Sequence, residues 1–564
     1  MYLSHNRSRL PRFGSHYLCI ALLGLAASLN AASDVNSAIA AGPVYVPLDS
    51  WVYPALRRLA ALGYVPDADV LVLPWTRQQC LTLIEEAEDI ASRRSRKLLA
   101  GAANSEALGI VAALRAEFPP AEQARQMARI ESVYTRLTEI SGTPLRDSYH
   151  FGQTIIDDYG RPYSEGANTV TGVAASGLWN RFSGYLRAEY QQSPVLAPYS
   201  ARVQNFIAQA DGIPAGSNIH PSATGRLDPL EMYIGAELGK FDVTIGKQSF
   251  WWGPGQDSAF HFSDNAEPIY ALRISQNTPI LLPGPFRLLG RIRTYFVLGR
   301  LSGHDFPPEP WINAQKITLQ LTENLELGFA RSAIFGGVGH PLTVDSFLRS
   351  FFSTSSTGGT AFGSRNDPGD RRSGFDFRWR LPMLRRYVTL YSDSLADDEP
   401  SPLASPRRSA WGPGISIAQI PSLPNVELQF ETYSTWLYAR DEGGRFIYWN
   451  DQYHDAYTND KLVLGSWVGR DSRAYVASAS YSVSPRNQIT ATYRQVKSSG
   501  AFLPGGGTQT DIGLRVQWQL RPDLSMDTFA QGERYDIPIL GAPRKNLAAG
   551  LQFTFCPTNW IVRR

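Results

Sequence analysis

From about Tyr149 to the C-terminus, apolar and polar residues alternate with a period of two. Ile317, Leu319 and Leu321 alternate with Thr318, Gln320 and Thr322, and after a turn at Asn324 the pattern resumes in Leu325, Leu327 and Phe329. Val426, Leu428 and Phe430 alternate with Glu427, Gln429 and Glu431. Tyr475, Ala477, Ala479, Tyr481 and Val483 share one face, which turns at Pro485-Arg486-Asn487 into Ile489, Ala491 and Tyr493. Ile512, Leu514, Val516, Trp518 and Leu520 repeat it up to Arg521-Pro522-Asp523, and Leu547, Ala549, Leu551, Phe553 and Phe555 end it. Successive side chains of a strand point to opposite faces, so each run predicts a strand with one apolar and one polar side, joined to the next by a tight turn. The opposite connections, 305–310, 353–372, 397–413 and 441–461, are longer and richer in Gly, Ser, Pro and charge. Short turns at one end and long loops at the other are the layout of an outer-membrane barrel. A soluble β-sandwich would repeat within about 100–250 residues, whereas this pattern fills roughly 400. At roughly 22–25 residues per strand and connection, the fold class is an all-β transmembrane barrel of about 16–18 antiparallel strands.

Upstream the period is helical. Asp49 or Ser50 is placed to cap a helix carrying Trp51, Leu56, Leu59 and Leu62, with Gly63 as its terminator. Pro74-Trp75-Thr76 opens a second, with Thr76 as cap, Leu83 and Ile84 on its apolar face, and Glu85, Glu86, Glu88 and Asp89 at its far end. A third covers Ser105 to Phe118, before Pro119-Pro120. Such a small α-helical bundle, about 70 residues, is marginal alone and is expected to lean on something larger. At the N-terminus, Arg7, Arg9 and Arg12 precede an apolar run from Tyr17 to Leu29, followed by Ala31, Ala32, Ala38, Ala40 and Ala41. The run is short of the about 18–20 residues a span needs, so 1–41 reads as a signal peptide cleaved between about 31 and 41. The expected division is then a periplasmic helical region over 42–145, the barrel over 146–556 and a tail over 557–564. Phe555 would be the terminal aromatic, with the tail hanging in the periplasm.

Composition narrows the chemistry. A net charge of +3, with no basic run interleaved with aromatics, speaks against nucleic acid as a partner. Mean hydropathy of −0.22 argues against a helical membrane protein but suits a barrel with a wet interior. Aromatic content of 12% fits interfacial girdles and equally a carbohydrate binder. Cys80 and Cys556, the cysteines left after signal removal, are both expected near the base of the barrel, and a disulfide between them is one arrangement open to them. Scattered histidines show no metal-ligand spacing, and no cofactor is expected. No Gly-x-Ser-x-Gly elbow occurs, and Asp157-Asp158 and Asp397-Asp398 sit side by side, which on a strand splits them between faces. They read as solvated loop charges, and the chain does not read as an enzyme.

Three segments carry a family resemblance. The run 241–250 ends in Phe250-Trp251-Trp252-Gly253-Pro254-Gly255, continued by Asn265-Ala266-Glu267-Pro268-Ile269. The N-terminal helices hold a Leu-x-x-Leu-Gly and a Pro-Trp-Thr-Arg stretch, and Tyr448–Lys461 runs into Leu464-Gly465-Ser466-Trp467-Val468-Gly469. Together these resemble the Wzi-type capsule assembly proteins. The resemblance implies an outer-membrane barrel of about eighteen strands in a Gram-negative-type bacterium, with a helical bundle at its periplasmic base. It implies a non-catalytic surface lectin whose partners are capsular or exopolysaccharide, outer-membrane lipid and the barrel-insertion machinery. Within the third segment, Tyr448, Trp449, Tyr453 and Tyr457 offer rings for sugar faces, and Asp451 and His454 offer hydroxyl partners, so these six are the candidate polysaccharide-binding residues. Trp251, Trp252, Gly253, Pro254, Gly255, Asn265 and Pro268 read as structural. A second Trp-Gly-Pro-Gly at 411–414 would mark a similar corner. Arg291, Arg293, Arg378 and Arg380 alternate along strands and are expected to face the lumen in ion pairs. The rival readings are a porin or solute channel of the same fold and an outer-membrane hydrolase.

Overall fold

The computed structural model describes residues 42–96, 102–118, 126–216, 225–353, 355, 357, 359–384, 387–437, 443–557 and 561–563; the expected signal peptide lies outside them. Eighteen long antiparallel strands close into a transmembrane barrel, each paired with its neighbour in sequence. The first, Gln126–Ser141, closes the ring against the last, Arg544–Phe555, with Val133 opposite Phe555 and Ser141 opposite Leu547. Two-residue turns at Asn180-Arg181, Gly239-Lys240, Glu323-Asn324, Pro485-Arg486 and Pro522-Asp523 mark one rim, and the long loops mark the other. Phe329, Phe430, Tyr475, Tyr481, Ile512, Leu514, Leu551 and Phe553 are exposed on the outside, while Gln429 and Glu431 are buried inside. Closure pairs every strand with two others, and the apolar exterior matches lipid. Among the described residues no helix is long and apolar enough to cross a membrane.

Two boundaries differ from the sequence reading. The barrel starts at Gln126 rather than at 146. In that strand the inward positions are Tyr134, Arg136, Thr138 and Ile140 and the outward ones Val133, Thr135, Leu137 and Glu139. Both faces mix apolar and polar residues, and a bulge between Ile130 and Ser132 breaks the period, so the alternation is faint. The tail does not hang free. The first strand overhangs the last, and Ile561–Arg563 pairs with Met127–Arg129 along the exposed edge that remains.

The helices Val52–Ala61, Arg77–Arg96 and Ala102–Glu117 form a plug at the short-turn rim. Ser50 Oγ accepts from Val52 N at 3.3 Å, and Thr76 and Gln79 form a reciprocal capping box, with Gln79 N donating to Thr76 Oγ1 at 3.2 Å and Thr76 N to Gln79 Oε1 at 2.8 Å. The second helix continues to Arg96, so Glu88 sits mid-helix, where it grips Arg115 of the third through two bonds of 2.6 Å. Gly63, at φ +77°, ends the first helix. Leu56, Leu59, Tyr64, Trp75, Ile84, Ile110, Leu114 and Phe118 make the plug's own core.

Inward-facing wall residues fix the plug through its backbone. Lys316 Nζ donates to Leu71 O (2.9 Å), Arg293 to Asp67 O (3.1 Å), Arg273 to Pro74 O (3.0 Å) and Arg380 to Ala60 O (3.0 Å). Asp69 accepts from Tyr295 and Thr318 of the wall (2.8 and 2.5 Å), and Arg378 pairs with Glu326 at 3.0 Å. Arg291 pairs with Asp67. From the other rim the loops fold inward, and Trp252, Phe260, Phe262, Tyr433, Tyr448, Tyr453 and Tyr457 form a second core inside the lumen. Cys80 and Cys556 are both free thiols, and no disulfide tethers the plug.

The inward loops are themselves tied together. His150 is clamped between Asp147 (2.8 Å) and Asp211 (2.9 Å), and Asp211 also accepts from Arg470 at 2.6 Å, which joins three loops. Burial alone would lower the His150 pKa, but the Asp147 and Asp211 carboxylates outweigh it and push it up to about 9.

Replacing Lys316 with Met should strand the buried Asp376 carboxylate it pairs with at 2.6 Å and cost about 3–5 kcal/mol. Lys316→Met with Asp376→Leu should recover most of that, as read by urea unfolding in detergent; equal loss in both variants would contradict the pairing. Because the His150 pKa is raised on folding, its stabilisation is complete below the ordinary imidazole value and fades as pH rises through about 9. Tryptic cleavage at the exposed Arg202, in the helix that ends at Asp211, should therefore accelerate between about pH 7.5 and about pH 10, and His150→Gln should already be fast at the lower pH.

Candidate functional site

The described segment 443–471, which leads into the strand Ser472–Ser484, packs into the lumen core. Five of its non-glycine residues, Tyr448, Ala456, Asp460, Lys461 and Asp471, have positive φ, a conformation that persists only where surrounding packing enforces it. That packing comes from the rings themselves. Tyr448 stacks on Tyr457 at 5.8 Å with 16° between planes, and Arg372 lies over Tyr457 at 4.8 Å. Tyr448 OH donates to Phe260 O at 2.9 Å and accepts from Ser466 N at 3.0 Å, while Tyr453 OH donates to Asp367 at 3.3 Å. Burial drives the Tyr448 and Tyr453 hydroxyls well above their ordinary range, so they stay protonated donors.

This corrects half of the candidate binding set. Tyr448, Tyr453 and Tyr457 are each 0% exposed, so their faces belong to the core and are closed to a polymer. Trp449 and His454 are half-buried and Asp451 is exposed. The structure extends them into a row of half-buried rings, Phe446, Trp449, His454 and Phe306, with successive centroids 5.1, 6.4 and 6.3 Å apart. The Trp449 ring and the backbones of His454 and Phe306 are held by hydrogen bonds. Trp449 Nε1 donates to Asp211 O (3.2 Å), His454 N donates to Phe306 O (3.0 Å), and Tyr149 OH reaches His454 O (3.1 Å). Arg445 is exposed and lies over Phe446 at 4.8 Å, and Lys461 joins Asp305 at 2.9 Å. Phe446 was visible in the ring-dense run around Tyr448. Phe306 carried no signal, because it joins the row across a gap of 148 residues to His454.

The motif residues Trp251, Trp252, Gly253, Pro254, Gly255, Asn265 and Pro268 are all buried. Leu73 and Val72 of the plug pair with Trp251 and Trp252 as a two-residue antiparallel ladder. Trp251 packs in the plug core and Trp252 in the lumen core. A Cβ on Gly255 would stand 2.3 Å from Ser258 O, so only glycine admits this approach. Asn265 bridges Ser148 Oγ (3.2 Å) and Val463 O (2.9 Å), which ties the motif to the loop bearing the ring row. The second Trp-Gly-Pro-Gly is no corner: it lies within the strand Ser409–Ile417, where Gly412 and Gly414 make room for the Tyr433 and Tyr391 rings.

Much of the charge elsewhere in the lumen is paired rather than solvated. Asp158 is held by Arg136 and Arg161 through bonds of 2.6–2.8 Å. Asp370, Asp397 and Asp398 bring carboxylate oxygens within 4.8 Å of one another, but Arg372 already sits against Asp370 at 2.6 Å and supplies the positive charge. A cavity of about 510 Å³ between plug and wall is lined by Asp157, Asp257, Asp264, Arg57, Arg136 and Arg494. Burial pushes Asp264 up to about 8 and Asp257 up to about 7. Its volume suits one small molecule and not a polymer.

Comparison with known proteins agrees with this geometry. The barrel superposes on Wzi of Escherichia coli, described as an outer-membrane protein involved in group 1 capsule assembly and a carbohydrate-binding β-barrel. The match has a TM-score of 0.62 at 16% identity and covers 91% of this chain and 99% of that one. An uncharacterised 55.8 kDa protein in the cps region of Klebsiella pneumoniae is 28% identical over 166 residues; the match spans 29% of this chain and 32% of that protein's length. The family model of capsule assembly protein Wzi covers residues 136–548, from the barrel's first strand to its last, and the chain belongs to that family.

Proposed function

We propose that this protein is a lectin-like, non-catalytic holder of exported capsular polysaccharide in the outer membrane, with its long-loop rim outside the cell and its helical plug in the periplasm. One observation carries the reading: the row Phe446, Trp449, His454 and Phe306 stands half-exposed on a rigid, filled support. Flat rings cover the C–H faces of sugars, and their spacing, near the length of one sugar residue, suits successive units of a chain. Arg445 lies over Phe446 at one end of the row to meet hydroxyl and carboxylate groups, and the exposed Asp451, two residues from Trp449, offers hydroxyl acceptors. A support that does not deform loses little ordering entropy on binding. Weak contacts repeated along a polymer hold it by effective concentration, so no single contact has to be strong. The relatives' descriptions, one of capsule assembly and carbohydrate binding, the other of a protein encoded in a cps region, favour the same ligand class.

The rival readings draw less support. A channel requires an open path, and here the lumen is occupied by the plug and by inward loops. A hydrolase requires an acid and a base with free lone pairs. The lumen carboxylates Asp158, Asp211 and Asp376 are held by arginine, histidine or lysine, and the cavity lined by Asp157, Asp257 and Asp264 has room for one small molecule and not for a polymer.

The test is binding of purified protein to capsular polysaccharide from its own host. Phe446→Ala with Trp449→Ala should weaken it about tenfold or more, since each ring is worth about 0.5–1.5 kcal/mol beyond its buried area. Tyr453→Phe, whose ring is enclosed, should bind within about twofold of wild type. Wild-type affinity in the double variant would remove the row from the site.

A further inference from the structure

One helix lies outside the barrel. Val344–Phe352 belongs to the loop between the strands Leu325–Phe335 and Asp370–Arg380, and it opens with a capping box in which Thr343 and Ser346 exchange bonds of 3.1 and 2.9 Å. Its neighbours show where it sits. In the strand Leu325–Phe335, Glu326 and Ile334 face the lumen, so Arg331 and Phe335 face outward. In the strand Trp311–Thr322, Ile312, Ala314 and Lys316 face the lumen, so Asn313 and Gln315 face outward. The helix rests on these outward residues. Asn313 Nδ2 donates to Ser350 Oγ at 2.5 Å, Arg331 donates to Phe351 O at 2.6 Å and to Ser350 O at 3.2 Å, Phe335 meets Phe347 at 6.2 Å, and Phe296 meets Phe351 at 6.0 Å.

The wall beneath the helix is polar where the rest of the barrel's exterior is mainly apolar. Asn313, Gln315 and Arg331 would each face lipid with unmet hydrogen bonds, at a cost of several kcal/mol for the arginine alone. Ser350 Oγ takes the bond from Asn313, the carbonyls of Ser350, Phe351 and Ser353 take those from Arg331, and Gln315 donates to Asn313 Oδ1 at 2.7 Å, so that Asn313 is 0% exposed. On the side away from the wall the helix turns Val344, Leu348 and Phe352 outward, in line with Phe347 and Phe351. Val344 is 75% exposed and Leu348 43% exposed. Asp345 and Arg349 pair at 3.0 Å on the remaining arc, opposite Phe347.

We propose that this helix is a lipid-docking element. It lies in the membrane interface at the long-loop rim, with Val344, Phe347, Leu348, Phe351 and Phe352 in contact with acyl chains and Asp345 and Arg349 directed to water. The occupant follows from continuity: its apolar arc extends the lipid-facing band of the wall, whose nearest outward residues are Phe329, Phe335 and Phe296. The helix thus restores an apolar exterior over the polar patch and sets the height at which the loop rim stands above the bilayer. This goes beyond glycan holding and does not depend on it.

The experiment places a nitrobenzoxadiazole label on Leu348→Cys or on Asp345→Cys, each in a Cys556→Ser background, with the full-length protein in nanodiscs; Cys80 is buried and does not label. One set of discs contains lipid with a doxyl quencher near the top of the acyl chain, and the other receives iodide in the aqueous phase. The Leu348 label should be quenched at least about threefold more by the doxyl lipid than the Asp345 label, and iodide should show the reverse order. Iodide quenching of Leu348 equal to that of Asp345 would overturn the proposal. Protection of Leu348 from both quenchers, with disulfide cross-linking of Leu348→Cys between copies, would also overturn it and assign the face to a second copy of the chain.

Discussion

A barrel this wide turns a ring of charged side chains into its own lumen, and each charge needs a partner there. Many are paired with one another across the wall, and one group of cations finds its partners in backbone carbonyls of one strip of the plug. Lys316, Arg293, Arg273 and Arg380 converge on the carbonyls of Leu71, Asp67, Pro74 and Ala60, and Asp69 answers the hydroxyls of Tyr295 and Thr318. Hydrogen bonds to charged groups contribute about 1.5–3 kcal/mol each, and an unpaired buried charge costs more than that. The small helical bundle thereby gains in the lumen the stability it lacks alone, and the wall gains neutralisation. Neither part is satisfied without the other.

The second consequence is a support for the surface. Trp251 and Trp252 form a splice, one ring in the plug core and the other in the core made by the inward loops. Gly253 N continues the join by donating to Leu71 O at 3.0 Å, the same carbonyl that takes Lys316. From there Asn265 and Phe260 hold the segment around Tyr448, and that segment carries the ring row. A path of packed and hydrogen-bonded residues therefore runs from the base of the barrel to the aromatic patch, which explains why the most ring-rich part of this sequence is mainly structural.

The barrel was legible because lipid imposes one rule on every outward position, and Leu514, Leu551 and Phe553 obey it plainly. The helix start at Thr76 was legible because capping is local, whereas the first helix starts at Val52 with Trp51, not Asp49 or Ser50, at its cap position. The first strand was not, since Tyr134 and Ile140 point inward where polar residues are usual and Glu139 points outward. The proposed binding face was half legible. Aromatic and polar residues between Tyr448 and Tyr457 signalled a ring cluster, but sequence alone does not separate Trp449, which is half-buried, from Tyr453, which is fully buried. Phe306 and the outer helix depend on contacts between distant segments. The polar residues Asn313 and Arg331 on an outward face were the trace that helix left in the chain.

The filled lumen is tested most directly by single-channel current across a planar bilayer, with incorporation of the protein verified independently. The expected result is a current that stays at baseline, because the lumen is occupied by the packed plug and inward loops. Sustained, large open steps of porin size would contradict it, and with it the view of the barrel as a solid support for a held polymer.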